Sequence, residues 1–461
     1  MSTTFSPRAW AVFLLVVAAD VLDLLSTTVT NVAAPTIVED LGASSSLVPW
    51  LGASYTLAMG SLMIVGGRLG DRYGCRRLFL IGLAGFTLFS LATAVATTSF
   101  ALVACRTGQG VFGGLLIPQG FVLLMRVIPR ESMGRVFGLF GPLLAVSSIS
   151  GPVVAGLLIE ANPFDLSWRS VFLVNVLFGA LMLAAALKVI PPFGGDASVR
   201  IRPGAALTLM AGLGLFLAGL VDGGASTWTN RAVIATAVGV AVLAAFGWQQ
   251  ARTGQPLLER SLFANRGFVA GLVFGALFFG TVTGVMYVTT LYLQQRLGLN
   301  PFHAALITAP VSVGIIATSL TVRGRVVTHG RSVVSIGVLL FALGTIGMTV
   351  VIGADYHPVP LITVPLLVAG LGMGCCFGAV FTVALGDVNP AQAGSASGVL
   401  NAVQQIVNAA GSAIVSTVYL STATPDVLSS GVLPCLLLTL VITVACATSI
   451  PLLPRRGADL H

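Results

Sequence analysis

Apolar residues run along this chain in fourteen stretches of about 20 residues, divided by short polar connections. That length fits an α-helix crossing a bilayer and not a transmembrane β-strand. The first six predicted spans cover about 9–31, 47–66, 78–97, 100–125, 134–159 and 169–190. A polar connection, PPFGGDASVRIRP, leads to spans 7 and 8 at about 204–221 and 231–250. After ARTGQPLLERSLFANRG come spans 9 to 14, about 267–293, 303–322, 332–353, 359–385, 395–420 and 431–453. The layout is six, two, six. The first stretch is too long for a signal-peptide core and many spans follow it, so it reads as a retained span.

Composition agrees. The 461 residues are 56% hydrophobic and 8% charged, with mean hydropathy +0.99, whereas a soluble domain carries about 25% charged residues. The chain is read as an all-α integral membrane protein whose first partner is the lipid bilayer. Its net charge of +8 is spread over short loops, which excludes a nucleic-acid partner. Of 23 basic residues only Lys188 is Lys, a bias that points to a GC-rich genome and to no mechanism. Nineteen of the 23 fall in the even-to-odd connections and the two tails. Arg169, Arg231 and Arg296 fall on the other side, and Arg106 is intramembrane. By the positive-inside rule both termini are cytoplasmic and the span count is even. The six cysteines are scattered, with no metal-ligand spacing and no disulfide framework, so no metal or cofactor is expected. No G-x-x-x-x-G-K-S/T loop is present, which argues against an ATP-driven pump. No enzyme activity is expected.

Three charges interrupt the apolar spans: Asp20 and Asp23 in span 1, and Arg106 in span 4. A charge at mid-bilayer costs several kcal/mol and is seldom retained without a use. Asp20, Asp23, Thr27, Thr30 and Asn31 form one polar helical stripe. A carboxyl in such a cavity switches between neutral and charged forms with solvent access, the property that proton exchange needs. The alternative is a pair of acids solvated near the cytoplasmic mouth, which suits Asp20 better than Asp23. In span 4, Arg106, Gln109 and Gly113 share a face, and Arg106 needs a partner in a dry interior or saturation by backbone carbonyls. Spans 9 to 14 hold no firmly intramembrane acid or base, so proton handling is assigned to the first six spans. Histidines near the connections receive no role.

The connection after span 2 reads Gly67-Arg68-Leu69-Gly70-Asp71-Arg72-Tyr73-Gly74-Cys75-Arg76-Arg77. Glycines permit a tight turn and close helix approach, and Asp71 can cap a helix or pair with Arg. As charges alone this is a topology-setting loop. As the ordered pattern G-x-L-x-D-R-x-G-x-R-R it resembles the signature loop of the major facilitator superfamily. A degraded echo, Arg323-Gly-Arg-Val-Val-Thr-His-Gly-Arg331, follows span 10, as a repeat architecture requires. The span-4 pattern around Arg106, Gln109 and Gly113 resembles that of the superfamily's proton-coupled drug transporters. In span 5, Gly138, Ser147, Gly151, Pro152, Ala155 and Gly156 are similar to the antiporter motif of its exporters, with Ser147 and Ala155 where glycine is usual.

The segment Ser26-Thr-Thr-Val-Thr-Asn31-Val-Ala-Ala-Pro35 resembles the span-1 motif of the fourteen-span drug:proton antiporter subfamily. The acid of that motif aligns with Ser26 here, and Asp23 lies three residues earlier, about 4.5 Å along a helix. The role of proton carrier is therefore given to Asp23, with Asp20 second. Trp50 and Tyr55, the run Trp168-Arg169-x-x-Phe172-x-x-Asn175, Leu291-Tyr-Leu-Gln294, Pro310, and Gly394 through Asn401 to Gln404 and Gln405 match further subfamily positions.

The resemblance implies a major facilitator fold of fourteen helices: two pseudo-symmetric six-helix bundles, residues 1–192 and 263–461, and two inserted helices within 193–262. It implies a monomer in the cell (cytoplasmic) membrane of a bacterium, exchanging protons for small-molecule substrates. Proton coupling falls to Asp23, Asp20 and Arg106. Substrate binding falls to Gln109, Tyr55, Trp50, Gln119, Asn401 and Gln404, although mid-membrane amides also glue helices together. The conformational switch comprises Gly67, Asp71, Arg72, Gly74, Arg76, Gly151 and Pro152. The expected function is proton-driven export of small lipophilic drugs or antibiotics. The alternatives are a dedicated exporter of one endogenous metabolite and a proton symporter importing a nutrient; the span-5 spacing argues against the second.

Overall fold

The computed structural model describes residues 6–453 apart from 44–46, 130–153, 156, 200, 226–227, 254–255, 300, 323–324, 355–358, 387, 390–391 and 424–429. All regular structure among the described residues is helical. The first group of helices is α1 (Pro7–Asp40), α2 (Leu47–Tyr73), α3 (Cys75–Ala94), α4 (Ser99–Val127) and α5 (Arg169–Val189). A pair follows, α6 (Pro203–Ala225) and α7 (Asn230–Arg252). Then come α8 (Arg266–Leu291), α9 (Pro301–Val322), α10 (Arg325–Gly353), α11 (Val359–Gly386), α12 (Ala393–Thr422) and α13 (Val432–Ser449).

These boundaries follow local chemistry. Ser6 caps α1 by accepting from the Ala9 amide at 3.1 Å, with Pro7 at the first helical position. Thr98, Thr229 and Asn265 cap α4, α7 and α8 in the same way. Gly74, at φ 91°, makes the one-residue break between α2 and α3. Helix α1 continues to Asp40, nine residues beyond the apolar stretch that predicts it. Polarity ends a membrane span, but it does not end a backbone hydrogen-bond ladder.

Eleven segments among the described residues are long and apolar enough to cross a membrane. Helices α2 and α12 are not among them. Both are rich in small and polar residues, and they pack against each other. Predicted span 5 falls mostly outside the described residues, and with it Gly138, Ser147, Gly151, Pro152 and Gly156. Ala155 is described and is buried beside Val171 of α5.

Helices α1 to α5 pack among themselves, as do α8 to α13. The second group is filled by phenylalanine: Phe274, Phe278, Phe279, Phe341, Phe377 and Phe381 meet ring to ring. The groups meet mainly where α2 and α4 contact α12. Helix α6 packs on α7, α2 and α12, so it touches both groups.

Candidate functional site

Span 4 brings Arg106 into full burial, and the chain answers with neutral acceptors. Arg106 Nε donates to the Leu51 carbonyl at 3.1 Å and Nη1 to Ser26 Oγ at 2.8 Å. Nη1 also donates to Gln109 Oε1, one helical turn along α4. Gln109 Nε2 in turn donates to Ser26 Oγ at 3.0 Å and to Ser90 Oγ at 2.8 Å. The guanidinium lies over the Tyr55 ring, 4.5 Å from its centroid, and near Phe172 at 5.9 Å. Arg106 Nη2 has no hydrogen-bond partner among the described residues.

Asp23 is held by the same tyrosine: the Tyr55 hydroxyl donates to Asp23 Oδ1, so Tyr55 contacts the carboxylate at its hydroxyl and the guanidinium at its ring face. The two ion pairs among the described residues are Arg68–Glu259 and Arg169–Asp40; Asp23 and Arg106 do not form one. Asp23 borders a cavity of about 580 Å³. Asp20 is buried, does not border it, and its Oδ2 has no hydrogen-bond partner among the described residues. Helix α2 contributes Gly52, Ala53, Thr56 and Leu57 to the cavity. The facing wall carries Thr283 and Tyr287 of α8 with Gln405, Asn408 and Ser412 of α12. Thr283 donates to Asn408 Oδ1 at 2.9 Å.

The sequence-derived substrate residues divide. Gln109, Tyr55, Gln119 and Asn401 are buried and do not border the cavity. Gln119 donates to the Gly66 carbonyl at 2.9 Å and Asn401 to the Ser397 carbonyl at 2.8 Å, so their amides saturate helix backbones. Trp50 is exposed and Gln404 half-buried, both off the cavity. Helical phase explains the shift from Gln404 to Gln405: one residue turns a side chain through about 100°. Thr283 and Tyr287, spaced i, i+4 on α8, were legible as a polar pair in an apolar span and escaped the sequence reading.

About 22 Å along α2 from Thr56, the same two helices close on each other. Asp71 accepts from the amides of Gly394 at 3.2 Å and Ser395 at 3.1 Å, and from Ser395 Oγ at 2.9 Å. It thus caps α12 from the opposite group. Arg68 pairs with Glu259, which also accepts from Gln392 Nε2. Glu259 escaped the sequence reading because nothing nearby in the chain marks its partners. A side chain at Gly67 would strike the Gly394 carbonyl, and one at Gly398 would lie 2.7 Å from that of Met63, so these glycines set the approach. Arg72 donates to the Val199 carbonyl at 3.1 Å, fastening the 191–199 connection, and Arg76 donates to the Leu187 carbonyl near the end of α5 at 2.8 Å. The echo loop does different work: Arg331 donates to the Pro451 and Leu453 carbonyls, in the turn that follows α13.

At the far end of α1, Asp40 accepts from Arg169 Nη1 at 2.6 Å and from Trp168 Nε1 at 3.0 Å. These bonds hold its carboxyl below the usual carboxylate range.

Comparison with known proteins gives this geometry a family. Residues 16–412 match the Major Facilitator Superfamily. The chain is 39% identical over 427 residues to a probable actinorhodin transporter of Streptomyces coelicolor, covering 89% of this chain and 72% of that protein. It is 32% identical to a multidrug resistance protein B homolog of Mycobacterium tuberculosis, covering 87% and 74%. It is 30% identical to a methylenomycin A resistance protein of Streptomyces coelicolor, covering 88% and 85%. Among solved structures, a proton:xylose symporter superposes with TM-score 0.71 at 16% identity, covering 99% and 98% of the two chains. At that identity the likeness shows the fold alone. The chain therefore belongs to the major facilitator superfamily and is a multi-pass membrane transporter, not an enzyme.

Proposed function

We propose that this chain is a fourteen-span, proton-coupled antiporter. It exports small lipophilic drugs or antibiotics, cations among them, from the cytoplasm of a bacterial cell, as a monomer with both termini cytoplasmic. The observation that carries the reading is the placement of Asp23. It is the carboxylate at the cavity wall, bonded to Tyr55, with Arg106 over the ring of that tyrosine and amides and hydroxyls elsewhere on the wall. Relatives named for antibiotic transport or resistance support export.

The charge bias puts the Asp71 end on the cytoplasmic side, so the latch closes the cytoplasmic end here and the cavity lies nearer the outside. Asp23 takes a proton in this state. Its neutral form holds a cationic or hydrogen-bonding cargo less well, and release outward follows. When the latch opens, Asp23 gives the proton to the cytoplasm and regains its hold on cargo. Arg106 lies over the Tyr55 ring and does not pair with Asp23. Ser26, at the place of the subfamily's usual acid, supplies a neutral acceptor for Arg106 and keeps its bonding intact in both protonation states.

The relatives named for single antibiotics favour a second reading, a dedicated exporter of one endogenous metabolite. Purified protein in liposomes, given an imposed pH gradient and a panel of dyes and antibiotics, separates the two by the breadth of compounds moved. Outward transport should collapse when the gradient is dissipated. Transport that persists unchanged would overturn proton coupling, and proton influx together with inward cargo would establish symport.

A further inference from the structure

Helix α6, the first of the inserted pair, presents Leu217, Leu220, Val221 and Gly224 to the cavity. The spacing i, i+3, i+4, i+7 is one helical face. Leu215 and Leu207 of the same helix are exposed on other faces. A Cβ placed at Gly60 of α2 would lie 3.2 Å from Gln405 of α12 and 3.3 Å from Leu217, so α2, α6 and α12 converge there.

The two ends of α6 are held by opposite helix groups. Past its C-terminal end, Trp228 Nε1 donates to Thr417 Oγ1 of α12 at 2.6 Å, and the Gly224 carbonyl accepts from Ser416 Oγ. Trp228 adopts φ 42°, a left-handed backbone unusual for so large a residue, and its ring covers Gly223. Before the N-terminal end, the Asp196 amide donates to the Asp71 carbonyl at 2.8 Å and Arg126 donates to the Gly194 carbonyl at 3.3 Å. The helix is therefore strapped across the seam between the groups rather than left in the lipid.

We propose that α6 is a wall of the substrate cavity and selects cargo by shape. Its Leu217–Leu220–Val221 face takes the apolar side of an amphiphilic molecule, whose hydrogen-bonding edge meets Asp23, Gln405 and Asn408. This rests on the transport reading above and adds a specificity role for the inserted pair, which a simple spacer between two bundles would not have. Volume at such a wall acts on bulky and slim cargo unequally, with factors of about tenfold for a change of a methylene or more.

The test has two arms. In the first, Val221→Cys and Leu215→Cys are reacted with a membrane-impermeant maleimide, the modified peptide being located by mass spectrometry. Val221→Cys should label and be protected by tetraphenylphosphonium or ethidium, while Leu215→Cys should not label. Equal behaviour at the two positions would overturn the proposal, whether or not transport is seen. In the second arm, Val221→Phe should change the ratio of KM for tetraphenylphosphonium and ethidium by about tenfold, and Leu215→Phe should leave it unchanged. An unaltered ratio in Val221→Phe, in liposomes where the unsubstituted protein exports both dyes, would sink the selectivity claim and leave the antiporter reading standing. Failure of the unsubstituted protein to move either dye on a pH gradient counts against that reading, and the labelling arm then decides the wall on its own.

Discussion

Helices α2 and α12 run side by side, yet one end of their seam is shut and the other borders a cavity. Both ends are built from small and polar residues, so composition does not distinguish them. What differs is who satisfies the carboxylates. At the shut end Asp71 of α2 accepts from Gly394 and Ser395 of α12, and Glu259 bridges Arg68 and Gln392. The Asp71 bonds cross directly from one helix group to the other, and Glu259, in the connection before α8, ties Arg68 of the first group to Gln392 before α12. At the cavity end Asp23 accepts from Tyr55, which belongs to its own group. A bond between groups resists their separation, and a bond within a group does not. In the proposed transport cycle the latch is therefore the element that must break, while the Asp23–Tyr55 bond does not hold the two groups together.

The largest test of this contrast is Asp23→Asn. It should leave folding intact, since the amide can still accept from Tyr55, and reduce pH-driven export in liposomes to background. Full-rate export by this variant would remove Asp23 from the mechanism. Next in size is Arg106→Ala, which strips Gln109 and Ser26 of their shared donor. Leaving those buried acceptors without a donor should destabilise by about 1–3 kcal/mol, read as a lowered Tm in detergent. Arg106→Lys should rescue little, because the planar fork cannot be replaced by a single ammonium. An unchanged Tm in both would mean that the network is not structural.

Asp71→Asn comes third. It retains an acceptor and loses the charge at the α12 terminus, a change of about 1 kcal/mol, so the latch should open about fivefold more often. Maleimide labelling of Ser397→Cys, a position now buried against the Pro118 carbonyl, should accelerate accordingly. Unchanged labelling would place the latch elsewhere. Tyr55→Phe keeps the ring beneath Arg106 but removes the donor to Asp23. The pH profile of export should change, because Asp23 loses its hydrogen-bond donor; an unchanged profile would contradict the role given to that bond.

The smallest effect concerns Asp40, whose carboxyl is lowered by bonds from Arg169 and Trp168. A depressed carboxyl contributes stability that is fully present above its unfolded value, about 3.9, and is lost as pH falls through the folded value. Asp40→Asn should therefore lower Tm at pH 7 slightly, to about the value of Arg169→Gln. Both should flatten the acid limb of the Tm profile below about pH 4.

Much of this molecule is written locally. Hydrophobic runs mark thirteen of the described helices near their observed places, because a membrane span must close its own backbone hydrogen bonds. The intramembrane charges pointed to α1 and α4, where Asp23 and Arg106 both contact Tyr55. The amides were harder. Gln109, Gln119 and Asn401 look the same in sequence as Gln405 and Asn408, yet the first three turn into helix contacts and the last two border the cavity. A rotation of a few tens of degrees decides between glue and ligand, and helical phase relative to a distant partner is not a local property.

By itself, then, the sequence determined the membrane class, the helical runs, the positions of the buried charges and the loop that closes one end, since each depends on residues within a turn or two of one another. Only the tertiary structure decided that Tyr55 contacts both Asp23 and Arg106, that Glu259 bonds both Arg68 and Gln392, and that α6 borders the cavity. Those facts depend on which faces of helices separated by tens to hundreds of residues come together, and close packing, not local pattern, selects those faces.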